Sequence, residues 1–292
     1  MPEIETGAVQ WFPGHMAKTR RQIKESLPMV DAVVELRDAR IPNASTNPEL
    51  SALIGAKPRL VLLNKADLAD PAATERWVAA YRAQGITALA VDCRSGRGLQ
   101  RFRPAAETLL AQTRRKNAEK GMAGKALRLM VVGVPNTGKS SFINRMAGKS
   151  AAKVEDRAGV TRHNKWYVIG GGMELLDTPG VLWPKFEDPA VGVKLAFTGG
   201  VKDQILDIET LAMRLLETLA RYYPDRLAER YKLPEGFASL PPYELLTQVA
   251  RKRGMLISGG EADTERAAVM LFDELRGGKL GAITFERPEE GT

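Results

Sequence analysis

One loop constrains the fold of this chain more than any other feature of its sequence. Gly133-Val-Pro-Asn-Thr-Gly-Lys-Ser140 follows the apolar run Leu127–Val132 and precedes a segment that favours a helix to about Met146. This spacing is typical of a phosphate-binding loop, in which glycines let backbone N–H groups approach phosphate oxygens without a Cβ clash. The helix that follows adds its positive amino terminus. The pattern therefore predicts an α/β sheet that binds a nucleotide.

Side chains of this loop are expected to contact the phosphates and their metal ion. Lys139 would neutralise the outer phosphates, and Ser140 would offer a hydroxyl to Mg²⁺. The nucleotide-binding set that we predict here is Asn136, Thr137, Gly138, Lys139, Ser140 and Ser141.

A second motif, Asn64-Lys-Ala-Asp67, directly follows the predicted buried strand Arg59–Leu63. A carboxylate at the end of a strand in the same sheet can accept hydrogen bonds from the N1–H and 2-amino groups of guanine together. Adenine offers neither donor, and charged bidentate pairs discriminate strongly. Asn64, Lys65 and Asp67 therefore predict a preference for GTP; the alternative is a polar loop after a strand.

A third motif, Asp177-Thr-Pro-Gly180, follows the apolar run Met173–Leu176. That position would place the carboxylate of Asp177 beside the metal, and Gly180 could donate its N–H to the γ-phosphate. Thr161 is the one threonine between the phosphate loop and Asp177, and it lies in a loop-like stretch suited to a switch segment. We therefore predict Ser140, Thr161 and Asp177 as ligands of Mg²⁺.

The pattern of elements divides the chain near residue 188. Before it, apolar runs alternate with helical segments, which favours parallel strands joined by helices. These segments include a helix over Ala17–Leu27 after a turn at Pro13-Gly14, and one long helix over Leu99–Asn117. After it, apolar residues follow helical spacing alone. We predict an α/β P-loop domain over residues 1–188 and a small all-α domain over residues 189–292.

The charge of the chain indicates which partners it binds, and its cysteine content indicates the cellular compartment. Lys and Arg number 43 against 35 Asp and Glu, a net charge of +8. Basic residues cluster at 18–24, 114–128 and 251–253, which favours an anionic partner such as RNA; a basic soluble surface is the alternative. The single cysteine excludes an intrachain disulfide. With neither a signal peptide nor a membrane-spanning stretch, a cytoplasmic protein without a membrane partner is expected.

The order of the motifs differs from that of ordinary small GTPases, because Asn64–Asp67 precedes the phosphate loop. A parallel sheet keeps its arrangement in a permuted chain if the original termini lie close together. Together with Trp11-Phe-Pro-Gly-His-Met16 and Asp38-Ala-Arg-Ile-Pro42, the motifs resemble those of the ribosome biogenesis GTPase A (YlqF) family of circularly permuted GTPases. The resemblance covers nearly the whole chain.

The resemblance implies a GTPase that acts in late assembly of the bacterial large ribosomal subunit. Its partners would be GTP and GDP, the large subunit and the rRNA of that subunit, and we expect a monomer. Asp92 and Cys93 stand where such proteins often have Ser-Ala, whose backbone helps to hold the guanine O6. Because that contact is made mainly by the backbone, we expect Asp92 and Cys93 to bind GTP in the same way. Asn136 matches an asparagine that holds K⁺ in several GTPases, so K⁺ joins Mg²⁺ as a candidate cofactor; a turn-favouring residue is the alternative.

GTP hydrolysis needs a side chain that orients the attacking water, and the third motif does not supply one. Val181 follows Gly180, and valine cannot orient the attacking water as glutamine does in Ras-like enzymes. We predict His15, in the Trp11–Met16 motif, as the catalytic residue. His163, near Thr161, is the alternative, and either histidine could instead have a surface or packing role.

Three function classes are compatible with these residues: a GTPase acting on ribosomal RNA, a GTP-binding RNA scaffold with little turnover, and a P-loop kinase or ATPase. Single-turnover rates with and without ribosomal particles separate the first two classes. The carboxylate of Asp67 argues against the third.

Overall fold

The protein is described by a computed structural model that covers residues 13–148, 153–154, 165–180, 182, 188–201 and 207–288, with the backbone alone at 13–17 and 153–154. Two compact units form. The first joins the residues up to Phe186 with those from Glu286 onward, and the second runs over Glu187–Phe285. The sequence predicts instead that the helical domain takes in all of residues 189–292. The end of the chain belongs instead with the first, because the Glu286 carboxylate accepts hydrogen bonds from the N–H groups of Asn43 and Ala44 at 2.6 and 3.1 Å.

A seven-stranded sheet forms the centre of the first unit, with the strand order β3-β2-β1-β4-β7-β6-β5. β3, β2, β1, β4 and β7 run parallel, whereas β6 is antiparallel to both β7 and β5. The last two strands depart from the predicted parallel arrangement because β6 returns into β7 through a short turn at 170–172, where three glycines have positive φ. So short a connection can only join antiparallel strands. In chain order the strands are β1 Ala32–Asp38, β2 Arg59–Asn64, β3 Thr87–Ala90, β4 Leu127–Val132, β5 Lys153–Val154, β6 Lys165–Gly170 and β7 Met173–Asp177.

The helices of the first unit correct two details of the sequence prediction. α1 begins at Pro13, so the turn expected at Pro13-Gly14 is wrong; proline suits a first helical turn, where its missing N–H is not needed. The single helix expected over Leu99–Asn117 is divided, because Phe102, Ala106 and Leu110 are fully buried whereas α5 contains no buried residue. The helices are α1 Pro13–Ser26, α2 Pro48–Ile54, α3 Pro71–Ala83, α4 Phe102–Leu109, α5 Ala111–Glu119 and α6 Lys139–Ala147.

Apolar side chains cover both faces of the sheet. On one face, Phe102 of α4 and Phe142 of α6 meet edge to face, with ring centroids 5.0 Å apart, in a cluster that includes Leu129 of β4. On the other face, Ile23 of α1 and Leu50 of α2 pack in a second cluster. Burial on both sides fixes the strands, and the fixed strands position the loops at their ends.

The second unit is built from helices, as the sequence predicted. Leu215, Leu246 and Leu271 are fully buried, and each comes from a different helix. No described helix of either unit is long and apolar enough to cross a membrane. The helices of the second unit are α7 Pro189–Phe197, α8 Ile208–Tyr222, α9 Pro224–Tyr231, α10 Pro242–Lys252 and α11 Thr264–Arg276.

Candidate nucleotide-binding site

Four parallel strands bring the sequence motifs to one edge of the sheet. β2 ends at Asn64, β7 ends at Asp177, and β4 leads into the phosphate loop. β1 lies between β2 and β4 and ends at Asp38. Because these strands are parallel, their carboxyl ends share the edge where open α/β sheets bind ligands. Motifs that are far apart along the chain therefore meet at one edge of the sheet.

The phosphate loop lies tightly against the sheet. Gly133 has a φ of 151°, and a Cβ at this position would lie 2.4 Å from the carbonyl oxygen of Leu36. Within the loop, Nζ of Lys139 donates to the carbonyl oxygens of Gly133 and Val134 at 3.0 and 2.9 Å. Burial lowers the pKa of Lys139 to about 8. The ammonium group is thus held by neutral carbonyl groups in a place where a phosphate would stabilise it far better.

The other loop residues divide between the interior and the surface. Thr137 is buried, and its hydroxyl donates to the carbonyl oxygen of Val134 at 2.9 Å. Asn136, Ser140 and Ser141 are exposed, and Asn136 has a φ of 61°. Three polar side chains of the loop are therefore accessible to a nucleotide or an ion.

Asn64 connects the phosphate loop to the loop after β3. Its Nδ2 donates to the carbonyl oxygen of Thr137 at 2.7 Å, and its Oδ1 accepts from the N–H of Cys93 at 2.9 Å. Gly138 packs so closely that a Cβ there would lie 2.2 Å from this Nδ2. Asn64 is buried, so its role in the described structure is to hold the loops together.

Lys65 and Asp67 have different surroundings. Asp67 is exposed, as a carboxylate that contacts a base needs to be. Nζ of Lys65 lies 3.0 Å from Oδ2 of Asp38, and Asp38 is also paired with Arg40 at 2.7 Å. The sequence predicts no role for Asp38 and Arg40 in the site. The only signal was their presence in the Asp38–Pro42 motif.

Asp92 and Cys93 form a buried turn after β3. The carboxylate of Asp92 accepts hydrogen bonds from the N–H of Arg94 at 2.8 Å and from the hydroxyl of Ser95. Burial would raise the pKa of Asp92, but these hydrogen bonds hold it below its usual value. Burial raises the pKa of the Cys93 thiol to about 12. Cys93 is therefore a packing residue, because a reactive cysteine needs an accessible thiolate.

Asp177 and Ser140 offer the oxygen ligands that Mg²⁺ prefers, a carboxylate and a hydroxyl. Burial raises the pKa of Asp177, although Lys139 and Lys165 oppose the change. A divalent cation would remove this penalty on the ionised form, so the residues fit the metal. Gly180 lies close by, since a Cβ at that position would be 3.1 Å from Nζ of Lys139.

Comparisons with known proteins show what this arrangement is similar to. A family model described as 50S ribosome-binding GTPase matches residues 128–224. Ribosome biogenesis GTPase A of Bacillus cereus is 46% identical over 97% of this chain and 95% of the relative. The protein of the same name from Thermotoga maritima is 33% identical over 97% of this chain and 96% of its own.

The chain belongs to the ribosome biogenesis GTPase A family.

Solved structures agree with this membership. GNP-bound YlqF from T. maritima has a TM-score of 0.63 at 31% identity, covering 93% of this chain and 99% of its own. GDP-bound TM YlqF has a TM-score of 0.66 at 32% identity, covering 92% and 100%. These comparisons confirm the family resemblance, the fold class and the GTPase activity that the sequence predicts. The chain is a GTPase of the ribosome biogenesis GTPase A family. It has the Mg²⁺ dependence that is typical of GTPase domains. The matched residues 128–224 include the phosphate loop but not Asn64–Asp67, which the permutation places earlier in the chain.

Several predicted residues fall outside the part of the chain that the structure describes. They are Thr161, His163 and Val181. His15 lies in the first turn of α1, where only the backbone is described. The roles of these residues stay predictions.

Proposed function

We propose that the protein is a GTP-hydrolysing assembly factor for the large ribosomal subunit, which it binds through ribosomal RNA in a GTP-dependent way. The observation that carries this proposal is the pair of hydrogen bonds made by Asn64. They join the segment that reads guanine to the loop that binds phosphate, so two separate motifs form one GTP site. The ribosomal destination follows from the relatives, which are named ribosome biogenesis GTPase A.

The guanine base would lie at the ends of β2 and β3. Asp67 accepts from its N1–H and 2-amino groups, Lys65 lies along its face, and the backbone at Asp92 and Cys93 contacts its O6. Lys139 exchanges its carbonyl partners for phosphate oxygens. The remaining contacts would come from Asn136, Thr137, Gly138, Ser140, Ser141 and Gly180.

Two cations and one histidine complete the proposed chemistry. Ser140, Asp177 and Thr161 would hold Mg²⁺, which supplies positive charge to the β- and γ-phosphates. Asn136 would hold K⁺; its exposed side chain in the phosphate loop supports this assignment. His15 would orient the attacking water or accept its proton, because Val181 can do neither.

α5 supports the RNA-binding part of the proposal. Arg114, Arg115 and Lys116 are exposed on this helix, and Glu119 is its one acidic residue. α5 buries no side chain, and a helix of this length is marginal in water without packing. Phosphate groups of RNA would stabilise such a basic surface. We propose that the protein acts in this way as a monomer in the cytoplasm.

A switch of nucleotide specificity tests the proposal. Full-length protein is sedimented with large-subunit particles in the presence of non-hydrolysable analogues of GTP or xanthosine triphosphate. The wild type should co-sediment with the GTP analogue and not with GDP. Asp67→Asn should lose at least ~10-fold in GTP affinity, the effect of about 1.5–3 kcal/mol per charged hydrogen bond, and should respond to the xanthine nucleotide instead.

Either of two results would contradict the proposal. Co-sedimentation that ignores the nucleotide would remove the GTP dependence, and unchanged GTP binding by Asp67→Asn would remove the guanine assignment.

A GTP-binding RNA scaffold with little turnover is the second candidate, and Val181 is the residue that favours it. Single-turnover hydrolysis with saturating particles separates the two. A rate that particles do not accelerate would favour the scaffold.

A further inference from the structure

The ion pair between Asp38 and Arg40 is almost completely buried at the end of β1. The two side chains are 3% and 2% exposed. Oδ1 of Asp38 accepts from the N–H and Nε of Arg40 at 3.0 and 2.9 Å, and Oδ2 accepts from Nη2 at 2.7 Å. Apolar residues of similar volume often stabilise a protein as well as a buried pair does, because the pair must lose its hydration. The position of the pair offers another reason for its presence.

This pair lies directly beside the segment that reads guanine. Asp38 pairs with Asn64 in the register of β1 against β2, and the N–H of Ala39 donates to the carbonyl oxygen of Asn64 at 2.8 Å. The N–H of Asp38 itself donates to the hydroxyl oxygen of Ser45 at 3.1 Å. Backbone and side chain of Asp38 are thus both fixed at the edge of the sheet.

One oxygen of the fixed carboxylate also holds Lys65. Nζ of Lys65 lies 3.0 Å from Oδ2 of Asp38. At its other end, the side chain leaves the backbone directly after Asn64, the buried and hydrogen-bonded last residue of β2. A lysine stem restrained at both ends has already lost much of the rotamer freedom that ligand binding would otherwise remove.

Arg40 adds an electrostatic link to Asp67. Burial would lower the pKa of Arg40, but the carboxylates of Asp38 and Asp67 raise it above its usual value. Nη1 of Arg40 is buried and has no hydrogen-bond partner among the residues that the structure describes. The charges of the two acidic and two basic side chains here cancel; the four residues are Asp38, Arg40, Lys65 and Asp67. The uncharged guanine base would therefore contact a group of side chains with no net charge.

We propose that Asp38 and Arg40 are positioning residues for guanine recognition. Arg40 fixes the carboxylate of Asp38, and Asp38 holds the ammonium of Lys65, so that the aliphatic stem of Lys65 is preset as one wall of the base-binding site. The inference rests on the proposed assignment of Asn64–Asp67 to guanine. Because both residues act through Lys65, they change only the binding of the guanine base. Their effect on affinity is therefore equal for GTP and GDP.

Titration of the full-length protein with fluorescent GTP and GDP analogues tests the inference. Asp38→Asn should weaken both nucleotides about 10-fold, the factor that ~1.4 kcal/mol represents. In steady-state hydrolysis KM should rise and kcat should stay unchanged, as expected for uniform binding. In a Lys65→Met background, Asp38→Asn should cause no further loss. An equal loss in both backgrounds would show a merely structural role and overturn the inference.

Variants of Lys65 keep the inference testable if Asp38→Asn does not fold, because they leave the buried pair intact. Lys65→Met retains the stem without the charge, whereas Lys65→Ala removes both. If the anchor matters, Lys65→Met should lose nearly as much affinity as Lys65→Ala, and Lys65→Arg should retain most of it. Wild-type affinity in Lys65→Met would overturn the inference.

The proposed function and this inference fail separately. Unchanged GTP binding by Asp67→Asn would end the guanine assignment itself. Impaired binding by Asp67→Asn together with wild-type affinity in Lys65→Met would end only the role of Asp38 and Arg40.

Discussion

The side-chain amide of Asn64 donates a hydrogen bond to the carbonyl oxygen of Thr137 across 2.7 Å. The same side chain accepts from the N–H of Cys93 at 2.9 Å. Because Asn64 is buried, water cannot replace it as the partner of these two backbone groups. Loss of this one side chain should therefore loosen the phosphate loop and the loop after β3 together.

Asn64→Ala should weaken GTP and GDP binding at least ~10-fold, since each buried backbone group left without a partner costs about 1–3 kcal/mol. Asn64→Asp should weaken nucleotide binding further. The aspartate keeps an oxygen that accepts from the N–H of Cys93, but its second oxygen would face the carbonyl oxygen of Thr137 in place of a donor. Titration with a fluorescent GDP analogue measures both variants. Wild-type affinity in a folded Asn64→Ala protein would contradict the connecting role.

Local sequence patterns predict a strand of the sheet well where apolar residues dominate the segment. The run Leu127–Val132 was predicted as a strand and forms β4 with the same bounds. The division between α4 and α5 could not be predicted, because helical periodicity continues through it. The break falls at Leu110, which is fully buried. A helix packs against the sheet only as far as it has buried side chains to contact it. The residue at which this contact ends is set by the tertiary structure and not by local periodicity.

The motifs of the site could be found in the sequence, but the contacts between them could not. The bond from Asn64 to Thr137 depends on the strand order, which places β1 between β2 and β4. The contact of Asp38 with Lys65 depends on the same order. Local spacing reports which residue ends a strand, whereas the neighbouring strand is set by long-range packing. For this reason the sequence alone predicts no role for Asp38 and Arg40 in the site.

GTP hydrolysis should be faster in K⁺ than in Na⁺ at equal ionic strength, because Asn136 would hold K⁺ beside the phosphates. Asn136→Ala should remove the difference. Asn136 has a φ of 61°, where alanine adds backbone strain and glycine does not. Asn136→Gly is therefore the matched variant, and it should remove the K⁺ effect as well. Equal rates in both salts for the wild type would contradict the role of K⁺.

Binding to large-subunit particles should weaken steeply with salt, and α5 should carry part of the dependence. Each phosphate contact contributes roughly 0.7–0.9 to the slope of log K against log salt. Replacing Arg115 and Lys116, both exposed on α5, by Gln should therefore reduce the slope by about 1.4–1.8. Arg76→Gln with Arg82→Gln removes the same charge from exposed positions on α3 and is the control. Equal slopes for the two double variants would exclude α5 from the RNA contact.

Acid should destabilise the second unit through Glu274. Its carboxylate accepts from Nε of Arg230 at 2.9 Å, the hydroxyl of Tyr231 at 3.0 Å and Nη2 of Arg253 at 3.0 Å. Burial would raise the pKa of Glu274, but these donors hold it below its usual value. With the folded-state pKa below the unfolded one, the stabilisation is complete above about pH 4.3 and is lost as the pH falls through the folded-state pKa.

Glu274→Gln should lower the free energy of unfolding at neutral pH by about 2 kcal/mol, the typical effect of a hydrogen bond to a charged group. It should also reduce the loss of stability as the pH falls below the unfolded-state pKa of about 4.3. Hydrogen exchange of the α11 amides measures the local stability of this unit. Glu229→Gln, at an exposed position on α9, should leave exchange unchanged. The same pH dependence in wild type and Glu274→Gln would exclude Glu274 as its source.

His15 should act in the hydrolytic step once a ribosomal particle is bound. Val181 leaves the attacking water without its usual partner, and a histidine can orient water or accept a proton near neutral pH. His15→Ala should lower particle-stimulated kcat by ~10²-fold, within the range of a general acid–base group. GTP affinity should stay unchanged, because the residue would act mainly in the transition state. Single-turnover hydrolysis with saturating particles measures the effect, with His163→Ala as the comparison. Full stimulated activity in His15→Ala and its loss in His163→Ala would transfer the role to His163.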